Sequence, residues 1–299
     1  MPQSEIDAIR ALLVTKARPV GWGERRERIE EIGAHWPPAP DIAFETVDLG
    51  NGVVAEFSLA PNADRSRVLM FFHGGGYCSG SIKSHRRMVS EAGRAAGVRT
   101  LAVQYRLAPE HKFPAAYDDA LAAWRFLRAQ GYAANQIIVG GDSAGGGLTA
   151  ALACRLRDLG EAQPACLWLV SPWTDLTMSG ATLATKDAVD PLIHTPYLEE
   201  LAQALLPPGF DRRDPRISPL YANLKGLPPT LIQVGSAEGL LSDATRMAEA
   251  LGVADVVTEL EIWPHMIHAF PMWNAALADG RRALASFGRF VRERAGGVA

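Results

Sequence analysis

The sequence predicts an α/β fold built around a mostly parallel sheet. Three observations carry this expectation. Eight short strand-like runs punctuate the 299 residues. From about residue 100 these runs alternate with helical patterns. One of them, QIIVG at 136–140, passes through a glycine-rich turn straight into a helical pattern at 144–159.

Taken in order, residues 4–17 set Ile6, Ile9, Leu12 and Leu13 on one helical face. Residues 24–32 (ERRERIEEI) follow as a charged helix that ends near Gly33, and HWPPAP breaks the chain. The runs at 42–49, 53–59 and 67–72 read as strands, the early ones antiparallel. Residues 100–104 precede a helix at 115–129, and 136–140 precede the helix at 144–159. Strand-like runs at 165–170, 230–234 and 257–263 complete the set, and a long helix at 271–294 closes it. Such alternation buries a parallel sheet between helices on both faces. Residues 177–228 hold no clear strand. They include a short helix, TPYLEELAQALL, with Thr195 as N-cap and Pro196 at the first position. This insertion and the N-terminal helices of residues 1–40 are expected to form a small helical cap on a main domain of residues 41–299.

Composition narrows the function. At 48% apolar residues the chain can fill one large core or at most two domains. A net charge of −3 and the lack of a basic run argue against a nucleic-acid partner. The first residues lack a signal-peptide pattern, and the longest apolar run, VLMFF at 68–72, is too short to span a bilayer. A cytoplasmic protein without a membrane partner is expected. Three cysteines (Cys78, Cys154, Cys166) suggest thiols in a reducing compartment. No CxxC or HExxH occurs, so neither a metal nor a cofactor is expected. A homodimer is compatible with a sequence that does not set the oligomeric state.

The chemistry gathers at GGDSAGGGL, residues 140–148. Gly141-Asp142-Ser143-Ala144-Gly145 matches G-x-S-x-G, in which a strained strand-to-helix elbow exposes the serine Oγ and small flanking residues relieve crowding. A tightly packed βα turn without chemistry gives the same pentapeptide. A phosphate loop is disfavoured, because GxxxxGK[ST] is absent. His73-Gly74-Gly75-Gly76 follows another buried-looking strand, and its glycine backbone can turn N–H groups toward a carbonyl. A nucleophilic serine also needs a base and an orienting acid. His194, His265 and His268 follow the serine; His265 and His268 lie in a loop after a strand, where such a base belongs. Glu238 and Asp243 are the candidate acids after the preceding strand.

Together HGGG at 73–76, YRLAPEHKFPAA at 105–116, GDSAGG at 141–146 and MIHAF at 266–270 resemble the bacterial hormone-sensitive-lipase-like (family IV) carboxylesterases. The resemblance implies the α/β-hydrolase fold, with a central sheet of about eight strands. It implies Ser143 as nucleophile, His268 as base, and oxyanion donors from the backbone N–H groups of Gly75, Gly76 and Ala144, with Gly74 shaping the loop. The substrate it implies is a small-molecule ester of short to medium chain, cleaved without a cofactor. Relatives often carry Asp-Pro-Leu-x-Asp where Glu238-Gly239-Leu240 stands, and some members use Glu; Glu238 is therefore the expected acid. Asp243 is expected to cap the following helix with Ser242. His265 is read as a rim residue, His73 as a loop anchor, Asp142 as a brace for the elbow, and Cys78 as a buried thiol. Tyr105, Arg106 and Glu110 are read as supports for the glycine loop. Amide or lactone cleavage by the same triad is the alternative, as is a small-molecule receptor, a role that relatives lacking the catalytic His fill.

Overall fold

The computed structural model describes residues 4–50 and 52–295. Its strands are β1 (Ala43–Asp48), β2 (Val54–Leu59), β3 (Asp64–Phe72), β4 (Val98–Gln104), β5 (Ile137–Asp142), β6 (Cys166–Val170), β7 (Thr230–Gly235) and β8 (Thr258–Trp263). They form one sheet in the order β1-β2-β4-β3-β5-β6-β7-β8. β1 and β2 pair antiparallel, as do β2 and β4; all later pairs are parallel. This is the α/β-hydrolase arrangement.

Period-two alternation explains why the central strands read as unbroken apolar runs. In β3, Val68, Met70 and Phe72 enter one core, while Leu69 and Phe71 enter the other. The first face is covered by α4 (Ala115–Ala129), α5 (Ala144–Asp158) and α8 (Leu241–Val253). The second is covered by α3 (Ile82–Ala96) and α9 (Ala278–Ala295), where Phe287 stacks on Trp168 with ring centroids 4.1 Å apart. Helix α3 is absent from the sequence expectation, because four cationic residues and His85 hide its apolar stripe. Its start is nonetheless well marked: the Ser81 side chain accepts the Ser84 N–H, and the Ser84 side chain accepts the Ser81 N–H.

The last helix begins later than expected. Phe270–Trp273 form a 3-10 turn of their own, and α9 starts only at Ala278, whose N–H donates to Glu5 at 2.6 Å. The turn is held by α1 (Glu5–Leu13), which packs Ile6, Ile9 and Leu13 against Met266, Ile267, Phe270 and Trp273. The charged helix is α2 (Trp22–Ala34). The insertion holds α6 (Thr182–Thr185) and α7 (Thr195–Leu205), with no strand among its described residues. The cap of α7 is His194, not Thr195, so Thr195 is already helical and Pro196 lies within the first turn.

One expectation about a polar residue needs correction. Asp243 does not cap α8; Leu240 occupies that position, and Asp243 lies within the first turn, fully buried. Its Oδ1 accepts the N–H groups of Thr174 (2.9 Å) and Asp175 (3.0 Å), bracing the start of the insertion. Asp190, in the insertion, is a second buried carboxylate. It is 2% exposed and accepts the N–H groups of Leu192, Ile193 and Gly239.

Candidate active site

β5 ends at Asp142 and α5 begins at Ala144, leaving Ser143 alone at the junction with φ 54° and ψ −121°. A non-glycine residue at such angles is strained, and the surroundings must hold it there. They do so through three backbone bonds: Ser143 N–H donates to Val170 O at 2.8 Å, and Ser143 O accepts from Gly147 (3.1 Å) and Trp173 (2.9 Å). The flanking glycines are obligatory for packing. A Cβ on Gly141 would overlap Gly145 O, and one on Gly145 would overlap Phe72 O.

The glycine loop after β3 lies beside this elbow. Gly75 and Gly76 have φ of 110° and 64°, which side chains rarely adopt. Gly74 N–H donates to Asp142 Oδ1 at 2.9 Å, and Tyr105 Oη donates to His73 O at 2.7 Å. His73 stacks on Tyr105 with centroids 4.3 Å apart, and burial pushes its imidazole down to about 3, so it is neutral. Among the described residues, the N–H groups of Gly75, Gly76 and Ala144 have no protein acceptor. Gly74 differs from these, since its N–H is spent on Asp142.

His268 follows β8 and Glu238 follows β7. His268 Nδ1 lies 3.3 Å from Glu238 Oε1. The other Glu238 oxygen accepts Ser171 Oγ–H at 2.8 Å and Gly235 N–H at 3.0 Å. Ser171 Oγ in turn accepts the N–H of Ala269 at 3.0 Å, tying the acid to the histidine loop. Burial pushes the Glu238 carboxyl up, with His268 and Ser171 pulling against it. Burial also opposes a charged His268, but the hydrogen bond and charge of Glu238 outweigh it and hold the imidazole above its ordinary value.

Ser143, His268, Gly75 and Gly76 line one cavity of about 160 Å³. Its roof comes from α1, α2 and their connection (Leu13, Arg18, Arg25, Ile29) and from the insertion (Ile193, Tyr197, Leu201). Arg10 clamps the two cap segments to the histidine loop by donating to Val189 O (2.8 Å) and His265 O (3.1 Å). Asp243, His194 and His265 are not in the lining; His265 is exposed, and His194 pairs with Asp187 at 2.9 Å. Cys78 is buried beside Leu201 outside the lining, with burial pushing its thiol up to about 12. Arg106 pairs with Asp119 and Glu110 with Arg26, both at 2.6 Å. Sequence reasoning passed over His85, whose Nε2 lies 3.3 Å from Asp142 Oδ2, and Ser171 and Asp190. It also passed over Arg25 and Arg28, although their i,i+4 spacing with Ile29 and Ile32 on α2 marks a shared face.

A strained serine elbow, a glycine loop with free N–H groups and a carboxylate-held histidine define a hydrolase of the α/β class. The α/β-hydrolase fold family matches residues 69–272. An acetyl-hydrolase of Streptomyces hygroscopicus is 37% identical, over 99% of each chain. An esterase of Acinetobacter venetianus is 33% identical, over 89% of this chain and 87% of its own. The crystal structure of an esterase from the bacterial hormone-sensitive lipase family superposes with a TM-score of 0.95 at 39% identity, covering 99% of this chain and 100% of that one. This chain belongs to the α/β-hydrolase family, in its bacterial hormone-sensitive-lipase branch.

Proposed function

We propose that the protein is a carboxylesterase in which Ser143 is the nucleophile, His268 the general base and Glu238 the orienting acid. The observation that carries this is the convergence on one cavity of the elbow serine, the Glu238-held imidazole and the glycine loop. Ser143 Oγ attacks the ester carbonyl as His268 Nε2 takes its proton. Glu238 fixes the tautomer through Nδ1 and stabilises the imidazolium. The N–H groups of Gly75, Gly76 and Ala144 receive the developing oxyanion, the last from the positive end of α5. The imidazolium then protonates the departing alcohol, and water activated by the same imidazole releases the acid.

Short acyl chains fit best. A cavity of about 160 Å³ is roughly the size that admits one benzene-sized group. The cap helices, residues 1–40 and 177–228, would close over it. No described helix is long and apolar enough to cross a membrane. Three free, buried thiols favour the cytoplasm as its compartment.

Hydrolysis of 4-nitrophenyl esters from acetate to octanoate, with a 4-nitroanilide control, tests the proposal. Turnover should peak at short chains, and the anilide should be cleaved far more slowly. Faster cleavage of the anilide would make the protein an amidase, and inertness toward every substrate would favour the receptor alternative.

A further inference from the structure

We propose that the cap end of the Ser143 cavity is an anion subsite, so that the preferred ester carries a carboxylate on its acyl or its alcohol part. The proposal rests on the ester-hydrolase reading above and names the class of ester.

Three guanidinium groups, Arg18, Arg25 and Arg28, line the cavity. The lining holds one acid, Asp142, and that carboxylate is already engaged by Gly74 and His85. Arg25 is only 8% exposed. Its Nε donates to Pro19 O at 2.7 Å and its Nη2 to Glu200 at 2.9 Å, yet its Nη1 is buried without a partner. The guanidinium lies 4.6 Å from the Trp22 ring centroid and 5.4 Å from that of Tyr197. Rotating Nη1 away would break both bonds and both ring contacts, so the open end of the fork is fixed.

Arg28, one turn further along α2, repeats the pattern. Its Nη2 is buried without a partner. Its Nη1 is 3.5 Å from Glu31, a carboxylate that Lys16 holds more closely at 3.1 Å. Arg18 donates to Leu192 O and lies 3.8 Å over the Tyr197 ring. The cap end thus concentrates cationic donors beyond what its own acids satisfy.

Buried donors without acceptors are costly, and a charged one most of all. A carboxylate offers two acceptor oxygens in the geometry a guanidinium fork matches, and its charge is strengthened where water is excluded. A neutral alkyl chain would leave Arg25 and Arg28 as unsatisfied as they are now. Much of the remaining lining is apolar, with Ile29, Leu198 and Leu201 among it, which suits a short methylene spacer.

The test compares matched esters by titrating released acid. In the acyl arm, monoethyl glutarate is set against ethyl pentanoate; in the alcohol arm, 4-acetoxybutanoate against butyl acetate. The anionic ester should have the higher kcat/KM in one arm, by at least about tenfold, and the arm identifies which side carries the charge. Arg25→Met and Arg28→Met should each collapse that ratio by about tenfold or more. Free glutarate should inhibit ethyl pentanoate hydrolysis competitively in the native enzyme, which decides the matter even if Arg25→Met fails to fold. Turnover of neutral esters with no anionic preference and no inhibition would overturn the subsite and leave the esterase standing. A preference that survives both substitutions would also overturn it. Failure to hydrolyse any ester would instead refute the esterase reading beneath it.

Discussion

Asp142, the residue before the elbow serine, accepts the backbone N–H of Gly74 at 2.9 Å. One carboxylate thereby locks the glycine loop to the elbow, and its second oxygen is held 3.3 Å from His85 Nε2. Against the cost of burial, the charge and hydrogen bond of His85 keep Asp142 below the usual carboxylate range. A Cβ on Gly74 would overlap Asp142 Oδ2, so the brace itself demands glycine there. Asp142→Ala should leave Gly74 N–H unpaired at a cost of about 1–3 kcal/mol. It should lower kcat by roughly one to two orders of magnitude as the oxyanion donors lose their alignment, with KM much less changed. Steady-state kinetics beside thermal denaturation checks both; a stability loss with unchanged kcat would make the brace purely structural.

The two inner glycines should differ in tolerance. At Gly75 (φ 110°) a Cβ would overlap the backbone of Ser79, which cannot move aside. At Gly76 (φ 64°) it would meet the end of the Leu201 side chain, which can turn. Gly75→Ala should therefore cost at least about tenfold more in kcat/KM than Gly76→Ala, in keeping with backbone strain of roughly 1–3 kcal/mol. Equal losses would contradict the loop geometry.

Much of this site was visible before folding. The glycines and Ser143 announce themselves because a strained elbow and a close-approaching loop tolerate few residue types, so chemistry and sequence are tightly bound there. Glu238 was legible from its place just after β7. The role of Asp243 was not, because the two N–H groups it accepts lie 68 and 69 residues away in the chain. Ser171 and Asp190 escaped for the same reason: their partners, Glu238 and Gly239, come from other segments. Helix α3 was obscured by the cations on its outer face, although its Ser81–Ser84 cap was in plain view.

The two candidate acids give opposite signatures. Glu238→Gln should keep the fold and lower kcat by about three to four orders of magnitude, through loss of the imidazolium's partner and of the correct tautomer. Asp243→Ala should leave Thr174 and Asp175 N–H groups unpaired and cost about 1–3 kcal/mol for each, with a modest effect on turnover. If the kinetic outcomes are exchanged, Asp243 is the acid that serves His268.

Burial pushes the Asp243 carboxyl from 3.8 up to about 7. Because the folded value is raised, its stabilising protonation is complete below the unfolded value and is lost as pH rises through about 7. Asp243→Asn keeps an acceptor for both N–H groups and cannot ionise. The Tm of the native protein relative to this variant should fall as pH rises between those limits. A difference that does not vary with pH would contradict the assignment.

Turnover should carry the signature of a raised histidine. His268 must be neutral to act as base, and Glu238 holds its imidazole above 6.5, so the acid limb of kcat/KM should have its midpoint above that value. Removing the carboxylate in Glu238→Gln removes the favourable charge, so the limb should move to lower pH while the plateau falls. A limb that stays in place would separate Glu238 from the titrating group.

The central claim is that ester cleavage runs through Ser143. A fluorophosphonate reacts with an activated serine and leaves a stable adduct that peptide mass mapping locates. Labelling should stop at one adduct per chain, on Ser143, with activity lost in step, and Ser143→Ala should take no label and hydrolyse no ester above a residual rate. An adduct on any other residue, or a Ser143→Ala variant that retains native turnover, would contradict the account.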